Sequence, residues 1–274
     1  MSESSVVVIT GTNAPGFGYY LVEEALDAGL RVIATARDIE SIRDHEKRGA
    51  TILELDLTAD EEVIKDFAQK AIAVHGKVDI LINNAGQGGI ASTEEMPLKT
   101  FEFIMNVNFY GTLKVTKAFL PYFRERRAGT ISQVSTRNAD IAMAGLSAYA
   151  GSKAAATVFY DALHKELLPF NVRVISFQPG SLRTGMVGKN MKPGSALYPA
   201  VDASLKRFAA SSGKEPGDPQ KQAKRIIEIV TRDGNLPSRF ALGQQAFDMI
   251  SATMADRQKS LQEWKDLSIG LECD

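Results

Sequence analysis

The segment SVVVITGTNAPGFG, residues 5–18, joins a short apolar run to a glycine-rich turn. The run Val6–Ile9 is typical of a strand that is buried on both faces of a parallel sheet. Gly11, Gly16 and Gly18 follow it, at the point where helical periodicity begins. Glycine permits positive φ and lets a phosphate approach main-chain N–H groups without meeting a Cβ. The segment therefore predicts a strand, a phosphate-binding turn and a helix whose positive N-terminal dipole faces the anion.

An alternation of strands and helices continues over more than half of the chain. The strand-like runs, which are short, apolar and rich in β-branched residues, are Ser5–Thr10, Arg31–Ala36, Thr51–Leu55, Val78–Ile82, Thr130–Val134 and Val172–Phe177. The segments with helical periodicity between them are Gly18–Ala28, Ile39–Arg48, Glu61–Val74, Leu98–Arg126 and Ser147–Leu168. This alternation predicts an α/β fold, a Rossmann-type doubly wound parallel sheet with helices on both faces. Because right-handed crossovers bring the strand carboxyl ends to one edge, the ligand is expected there.

The last third of the chain has a different composition. Residues 184–219 are rich in glycine and proline and are interpreted as a small substrate lid with a helix at Tyr198–Ser211. A helix at Gln220–Thr231, a strand at Arg239–Leu242 and a helix at Gln244–Asp266 are predicted to complete the chain. No repeat or linker divides the sequence, so residues 1–274 are interpreted as one domain. Its core, residues 5–183, carries the predicted dinucleotide site and the catalytic residues.

The overall composition limits the classes of function. The formal net charge is −1 and the Lys and Arg residues are dispersed, so no nucleic-acid partner is expected. Cys273 is the single cysteine, which excludes an intrachain disulfide. No apolar run reaches the ~20 residues that a membrane span requires, and the N-terminus has no signal-peptide pattern. The composition therefore predicts a cytoplasmic globular protein without a membrane span.

The end of the second predicted strand bears on the choice of nucleotide. A site for NAD typically has an acidic residue at this point, whereas an arginine nearby accepts the 2′-phosphate of NADP. Here Ala36 is followed by Arg37, whose guanidinium fork suits a phosphate. Asp38 is interpreted as the cap of the next helix. The sequence therefore favours NADP(H) over NAD(H).

Six motifs in order give the chain a family resemblance. They are Thr10-Gly11 with Gly16 and Gly18, Asp56-Leu57, Asn83-Asn84-Ala85-Gly86, Asn108, Tyr149 with Lys153, and Pro179-Gly180 with Thr184. Together they resemble the short-chain dehydrogenase/reductases of the Tyr-x-x-x-Lys type over residues 5–185. The resemblance implies that the cofactor-binding residues are Gly11, Asn13, Gly16, Gly18, Arg37, Asp56, Leu57, Asn84, Ala85, Gly86, Tyr149, Lys153, Pro179, Gly180, Leu182 and Thr184.

The resemblance also implies the catalytic roles. Tyr149 and Lys153 are four residues apart on a predicted helix and share a face, so the ammonium can lower the pKa of the tyrosine hydroxyl. By resemblance, Lys153 also binds the nicotinamide ribose, and Asn108 holds a water that relays protons to the lysine. Asp56 is expected at the adenine, and Asn84 and Thr184 at the nicotinamide half.

Two departures from the family pattern affect these expectations. The usual serine thirteen residues before the tyrosine is replaced by Thr136, which keeps a hydroxyl donor but has a restricted χ1. Thr136 is favoured for the serine's role, and Ser135 is the alternative. The glycine loop holds one residue more than the usual spacing. In this it is similar to that of fungal acyl-dihydroxyacetone-phosphate reductases.

The implied activity is interconversion of a ketone and a secondary alcohol by NADP(H). A medium-sized hydrophobic or polycyclic carbonyl substrate and a homodimer or homotetramer are expected. Two alternatives remain: a relative repurposed for cyclisation, isomerisation or dehydration, and a non-catalytic NADP-binding regulatory module. His45, His75 and His164 have no partners at metal-ligand spacing and are interpreted as surface or helix-end residues, so no metal site is predicted.

Overall fold

The computed structural model describes residues 4–184 and 197–273, in which seven parallel strands form one sheet. In chain order the strands are β1 (Val6–Ile9), β2 (Arg31–Ala36), β3 (Thr51–Glu54), β4 (Ile80–Asn83), β5 (Gly129–Val134), β6 (Val172–Pro179) and β7 (Arg239–Leu242). Across the sheet their order is β3-β2-β1-β4-β5-β6-β7. The predicted doubly wound α/β sheet is therefore confirmed, and its strand order reverses between β1 and β4.

The helices agree closely with the predicted segments. They are α1 (Phe17–Asp27), α2 (Arg43–Lys47), α3 (Glu61–His75), α4 (Leu98–Met105), α5 (Thr112–Arg126), α6 (Ser147–Leu167), α7 (Pro199–Ser211), α8 (Pro219–Thr231), α9 (Gln244–Glu263) and α10 (Lys265–Ser268). The helix predicted over Leu98–Arg126 is not regular throughout, because α4 and α5 are joined by a π-helical turn at Asn106–Gly111. A short 3-10 helix, Ile39–Ile42, precedes α2.

The sheet is covered by a hydrophobic core on each face. In β1, Val7 and Ile9 belong to the core that packs under α1 and α8. Val6 and Val8 belong to the opposite core, under α3, α5 and α6. All four side chains are buried, which is why this strand is an unbroken apolar run in the sequence. Burial on both faces holds the turns after β1 and β4 in fixed positions.

The predicted lid is only partly described. Residues 185–196 lie outside the described residues. The following α7 begins with Pro199 at its first turn, and β6 continues into a backbone bridge between Leu182 and Gly217. A lid function for residues 184–219 therefore stays a prediction.

Candidate active site

A cavity of about 410 Å³ opens at the carboxyl edge of the sheet, at the point where the strand order reverses. Open α/β sheets bind their ligands at this position. The predicted residues that line it are Gly11, Asn13, Gly16, Arg37, Asp56, Leu57, Asn84, Ala85, Gly86, Ser135, Thr136, Tyr149, Lys153, Pro179, Gly180, Leu182 and Thr184. Two predicted residues, Gly18 and Asn108, do not line the cavity and instead support it from behind.

The glycine turn is packed tightly against the turn after β4. Gly11 has a φ of +69°, and a Cβ on it would lie 2.7 Å from the Cα of Ala85. The Nδ2 atom of Asn84 donates hydrogen bonds to the carbonyl oxygens of Thr10 and Gly11, each at 2.9 Å. The Thr10 hydroxyl accepts from the backbone N–H groups of Asn84 and Ala85, each at 3.0 Å. These contacts hold a backbone cradle open beside the N-terminus of α1.

One end of the cavity has the charges expected for an adenosine phosphate. The exposed Arg37 side chain and Asp56 line it together. Burial favours the protonated form of Asp56, but hydrogen bonds from Thr58 and the charge of Arg37 together hold the pKa of this carboxyl below its usual value. Asp38 caps the Ile39–Ile42 helix by accepting from the backbone N–H of Glu40 at 3.0 Å. Asp38 thus has the capping role that the sequence predicted.

The opposite end of the cavity holds the catalytic candidates. Tyr149 and Lys153 lie one turn apart in α6, and both line the cavity with Thr136. Burial lowers the pKa of Lys153 to about 8, and its Nζ atom donates to the carbonyl oxygen of Val134 at 2.8 Å. The sequence predicted that the Lys153 ammonium lowers the pKa of the Tyr149 hydroxyl, but burial raises it, and the opposing effects come from a hydrogen bond from Thr136 and the charge of Arg137. The structure therefore brings an acid, an ammonium and a hydroxyl together.

Asn108 lies in the π-helical turn and is fully buried. Its Nδ2 atom donates to the carbonyl oxygen of Gln87 and to the Ser152 hydroxyl, each at 2.9 Å. Its Oδ1 atom accepts from the backbone N–H of Gln87 at 2.7 Å. A Cβ on Gly86 would lie 3.2 Å from the Lys153 Nζ atom and 3.4 Å from the Asn108 Oδ1 atom, so both side chains pack beneath Gly86. Asn108 thus anchors the turn that runs beside Lys153.

The two candidate hydroxyls at the end of β5 have different surroundings. The Ser135 hydroxyl is 2.6 Å from the Thr157 hydroxyl, which itself donates to the carbonyl oxygen of Lys153. The Ser135 hydroxyl therefore donates its single proton to Thr157 of α6. The Thr136 hydroxyl accepts from the backbone N–H of Asn138 at 3.2 Å, which leaves its own proton for Tyr149 or a ligand.

The burial of two polar residues in or near the cavity was not predicted from the sequence. Arg137 lines the cavity and is buried, although it directly follows Thr136 in what the sequence shows only as a polar segment. His45 was predicted to be a surface or helix-end residue; it lies in the last turn of α2, but it is buried and not at the surface, with its Nε2 atom 3.0 Å from the carbonyl oxygen of Thr12. It packs there against the Tyr19 ring, and burial lowers the pKa of its imidazole. The packing of the His45 imidazole beneath the glycine turn could not be predicted from local sequence, because Thr12 and His45 are 33 residues apart.

The described residues contain no group of three or more His, Cys, Asp and Glu side chains that could hold a metal ion. Within the same ranges, no helix has both the length and the apolar character needed to cross a bilayer.

The glycine cradle lies where the strand order reverses, and a Tyr-x-x-x-Lys pair follows on a helix. Together they define the class of dinucleotide-dependent oxidoreductases with a Rossmann-type fold. The family model for short chain dehydrogenases matches residues 5–194. The chain therefore belongs to the short-chain dehydrogenase family, as its six motifs predicted.

Three known proteins illustrate this membership. An oxidoreductase of Botryotinia fuckeliana is 30% identical over 268 residues, which is 95% of this chain and 97% of that protein. The NADPH-dependent 1-acyldihydroxyacetone phosphate reductase of Schizosaccharomyces pombe is 34% identical over 190 residues, 69% of this chain and 64% of that protein. The crystal structure of a short-chain dehydrogenase from Streptomyces avermitilis covers 100% of both chains with 32% identity and a TM-score of 0.88.

Proposed function

We propose that the protein is an NADP(H)-dependent oxidoreductase that interconverts a ketone and a secondary alcohol. The observation that carries this proposal is that Tyr149, Lys153 and Thr136 line the same cavity as the glycine cradle. A proton donor, a cation and a hydroxyl facing one volume are the groups that carbonyl reduction requires of a protein.

The residues of the cavity fit a dinucleotide phosphate. Glycine at position 11 lets the turn lie directly against Ala85, where a Cβ would collide, and the turn leads into the N-terminus of α1, where a phosphate is stabilised. Arg37 supplies a guanidinium at the adenosine end, in the position where a 2′-phosphate is bound. The NADPH dependence of the fission-yeast relative supports the same choice of NADP(H).

The reaction divides between the cofactor and the chain. When bound, the reduced nicotinamide supplies the hydride that reaches the carbonyl carbon. The Thr136 hydroxyl donates a hydrogen bond to the carbonyl oxygen, and Tyr149 transfers its phenolic proton to that oxygen. The Lys153 ammonium stabilises the resulting phenolate. Asn108 holds the Gln87 backbone next to Gly86, and in this proposal a water held by Asn108 relays protons to Lys153.

The remaining parts of the proposal concern substrate and assembly. Apolar side chains near the reacting end, among them Phe103, Leu146 and Phe208, favour a substrate with a hydrophobic body.

We propose a homodimer or homotetramer that packs through the helices around Tyr110 and Val158, whose side chains are exposed. The non-redox alternative depends on the replacement of serine by Thr136, whose retained hydroxyl favours reduction. The presence of Tyr149, Lys153 and Asn108 argues against a non-catalytic module.

The test of cofactor choice is consumption of reduced nicotinamide with a panel of ketones. NADPH is expected to support turnover with a lower KM than NADH. Replacing Arg37 with alanine is expected to reduce this preference by about 10- to 100-fold, because one charge-assisted contact to the 2′-phosphate is lost. Steady-state rates with each nucleotide measure the preference.

The control for this prediction is Arg43→Ala, which removes an exposed arginine that pairs with Glu40 and Glu46 outside the cavity. It is expected to leave the nucleotide preference unchanged. Equal use of NADPH and NADH by the wild type would contradict the choice of NADP(H), and binding of NADPH without turnover of any ketone or alcohol would contradict the reductase itself.

The pH dependence of the free enzyme gives a second prediction. Burial lowers the pKa of Lys153 to about 8, so its ammonium is lost as the pH rises through that value. Since the proposed chemistry needs the charged form, kcat/KM for NADPH is expected to fall above pH 8, about tenfold per pH unit for one proton. Lys153→Arg carries a cation that does not titrate in this range and is expected to lack this limb at whatever activity remains. A wild-type profile that stays level to pH 10 would remove Lys153 from the role.

A further inference from the structure

Arg137 is a buried cation whose hydrogen-bonding capacity is only partly used. Its side chain lines the cavity and is 6% exposed. One terminal nitrogen donates to the Ser181 hydroxyl and to the Gln245 Oε1 atom, each at 3.2 Å, and both partners are neutral. The Nε atom is buried without a partner. A guanidinium has five N–H donors, and in the described parts of the chain those of Nε and of the second terminal nitrogen have no protein partner.

Arg137 also has no carboxylate partner in the described parts of the chain. The nearest acidic residue in sequence, Asp140, pairs with Arg239 at 2.7 Å and accepts a hydrogen bond from Gln178. Residues 185–196 contain neither Asp nor Glu, so that segment holds no acid to offer. Burial lowers the pKa of the guanidinium, which reflects the cost of desolvating a charge that no carboxylate of the described residues offsets.

The charges that line the cavity are unevenly distributed. Among the described residues, Asp56 is its single lining carboxylate, and it lies with Arg37 at the adenosine end. The reacting end contains Lys153 and Arg137, and no acidic side chain of the described residues lines it. Arg137 is near enough to Tyr149 for its charge to act on the phenolic hydroxyl. A negatively charged group placed here would therefore offset two cations next to the reacting carbonyl.

We propose that the ketone substrate carries an oxyanion, a carboxylate or a phosphate, close to its carbonyl group, and that Arg137 binds this oxyanion. This inference rests on the proposed reductase function and names its substrate class. The planar guanidinium fork matches the two oxygens of such a group and can bind them together. The apolar lining then holds the rest of the molecule.

The oxyanion is not changed by the reaction. The carbonyl carbon gains the hydride, the carbonyl oxygen gains the Tyr149 proton, and the nicotinamide is oxidised, so that ketone and reduced nucleotide give alcohol and oxidised nucleotide. Arg137 is thus a specificity residue that orients the ketone by its charged end.

The test compares matched ketones that differ in charge. For the carboxylate, 2-oxo-4-phenylbutanoate is compared with its neutral amide; for the phosphate, hydroxyacetone phosphate is compared with hydroxyacetone. The wild type is expected to have a kcat/KM at least about tenfold higher for the anionic member of one pair, and that pair identifies the oxyanion. Arg137→Met is expected to lower this ratio by about 10- to 100-fold, and Arg137→Lys by less, because a lysine keeps the charge without the fork.

A matched control is Arg173→Met. Arg173 is also a partly buried arginine with neutral partners, among them the Thr130 hydroxyl and the carbonyl oxygen of Val230, but it lies at the start of β6 and outside the cavity lining. Its substitution is expected to leave the ratio between charged and neutral ketones at the wild-type value. A similar loss of ratio in both variants would overturn the assignment of Arg137.

The outcomes separate the two proposals. If the wild type reduces neutral ketones and prefers neither anion, the reductase stands and the oxyanion inference is overturned. The inference is also overturned if Arg137→Met loses kcat/KM equally for both members of a pair. If no ketone is reduced, the reductase fails, and calorimetric titration of the NADPH complex with 2-oxo-4-phenylbutanoate and with hydroxyacetone phosphate tests the oxyanion site directly. Binding that Arg137→Met abolishes would support the site, and absence of binding by the wild type would overturn it.

Discussion

Tyr149→Phe is expected to lower kcat for ketone reduction by about 10³-fold, within the range that a positioned proton donor contributes. Such a loss corresponds to about 4 kcal/mol of transition-state stabilisation. Phenylalanine keeps the ring at its place in α6 but removes the hydroxyl that lies in the cavity with Thr136 and Lys153. NADPH binding, followed by quenching of protein fluorescence, is expected to persist, because the substitution leaves the glycine cradle and Arg37 unchanged.

The control is Tyr160→Phe, the same substitution about three turns further along α6. The Tyr160 hydroxyl is fully buried and bonded to Asn83 at 2.7 Å and to Thr116 at 3.0 Å, outside the cavity lining. Its loss is expected to cost about 1–3 kcal/mol of unfolding free energy while kcat stays near the wild-type value. If Tyr149→Phe kept a tenth or more of the wild-type kcat, Tyr149 would not be the proton donor.

Most of the sheet could be predicted from sequence because its inner strands are buried on both faces. Such strands are apolar runs bounded by turns, and the predicted bounds of β2 agree with the structure at both ends. The predicted bounds of the edge strand β7 also agree, although this strand is only partly buried. The order of elements then placed the glycine turn and the motifs after β4 and β5 at one edge. For the same reason, most of the cavity lining was predicted before any distance was known.

The π-helical turn could not be predicted, because its cause is tertiary. Local periodicity over Leu98–Arg126 is helical throughout, and a single widened turn hardly changes the pattern. What accompanies it in the structure is the pair of bonds between Asn108 and the Gln87 backbone, together with the close contact of Gly111 with Leu57. These partners come from other parts of the chain.

Burial of polar side chains was the other feature that sequence did not reveal. Arg137 is held by Ser181 and Gln245, which are 44 and 108 residues away along the chain. An arginine in a polar segment is usually solvated, so only the assembled cavity shows that this one is enclosed. Thr136 and Ser135 were left as alternatives for a similar reason, since the bond between Ser135 and Thr157 depends on how α6 packs on β5.

Gly18→Ala is expected to destabilise the fold by about 3 kcal/mol and to weaken NADPH binding at the same time. A Cβ on Gly18 would lie 2.2 Å from the carbonyl oxygen of Gly11, 2.5 Å from the Asn84 Nδ2 atom and 2.9 Å from the Thr12 Cα atom. Two of these atoms belong to the backbone, so the turn after β1 must move by roughly 1 Å to restore ordinary contact. That movement also strains the Asn84 hydrogen bonds that shape the cradle. Urea unfolding and fluorescence titration with NADPH measure the two effects.

Gly151→Ala is the matched control, because it makes the same substitution in another helix where the structure has room. Gly151 is exposed in α6, and a Cβ there would meet nothing within 4 Å. Alanine is the better helix former, so this variant is expected to gain up to about 1 kcal/mol of stability and to bind NADPH as the wild type does. Opposite signs for the two alanine variants would show that close packing of Gly18 against the turn, and not helix propensity, requires glycine there. If Gly18→Ala matched the wild type in both measurements, the turn would be able to shift freely, and the rigid cradle inferred from the Gly11 and Asn84 contacts would be wrong.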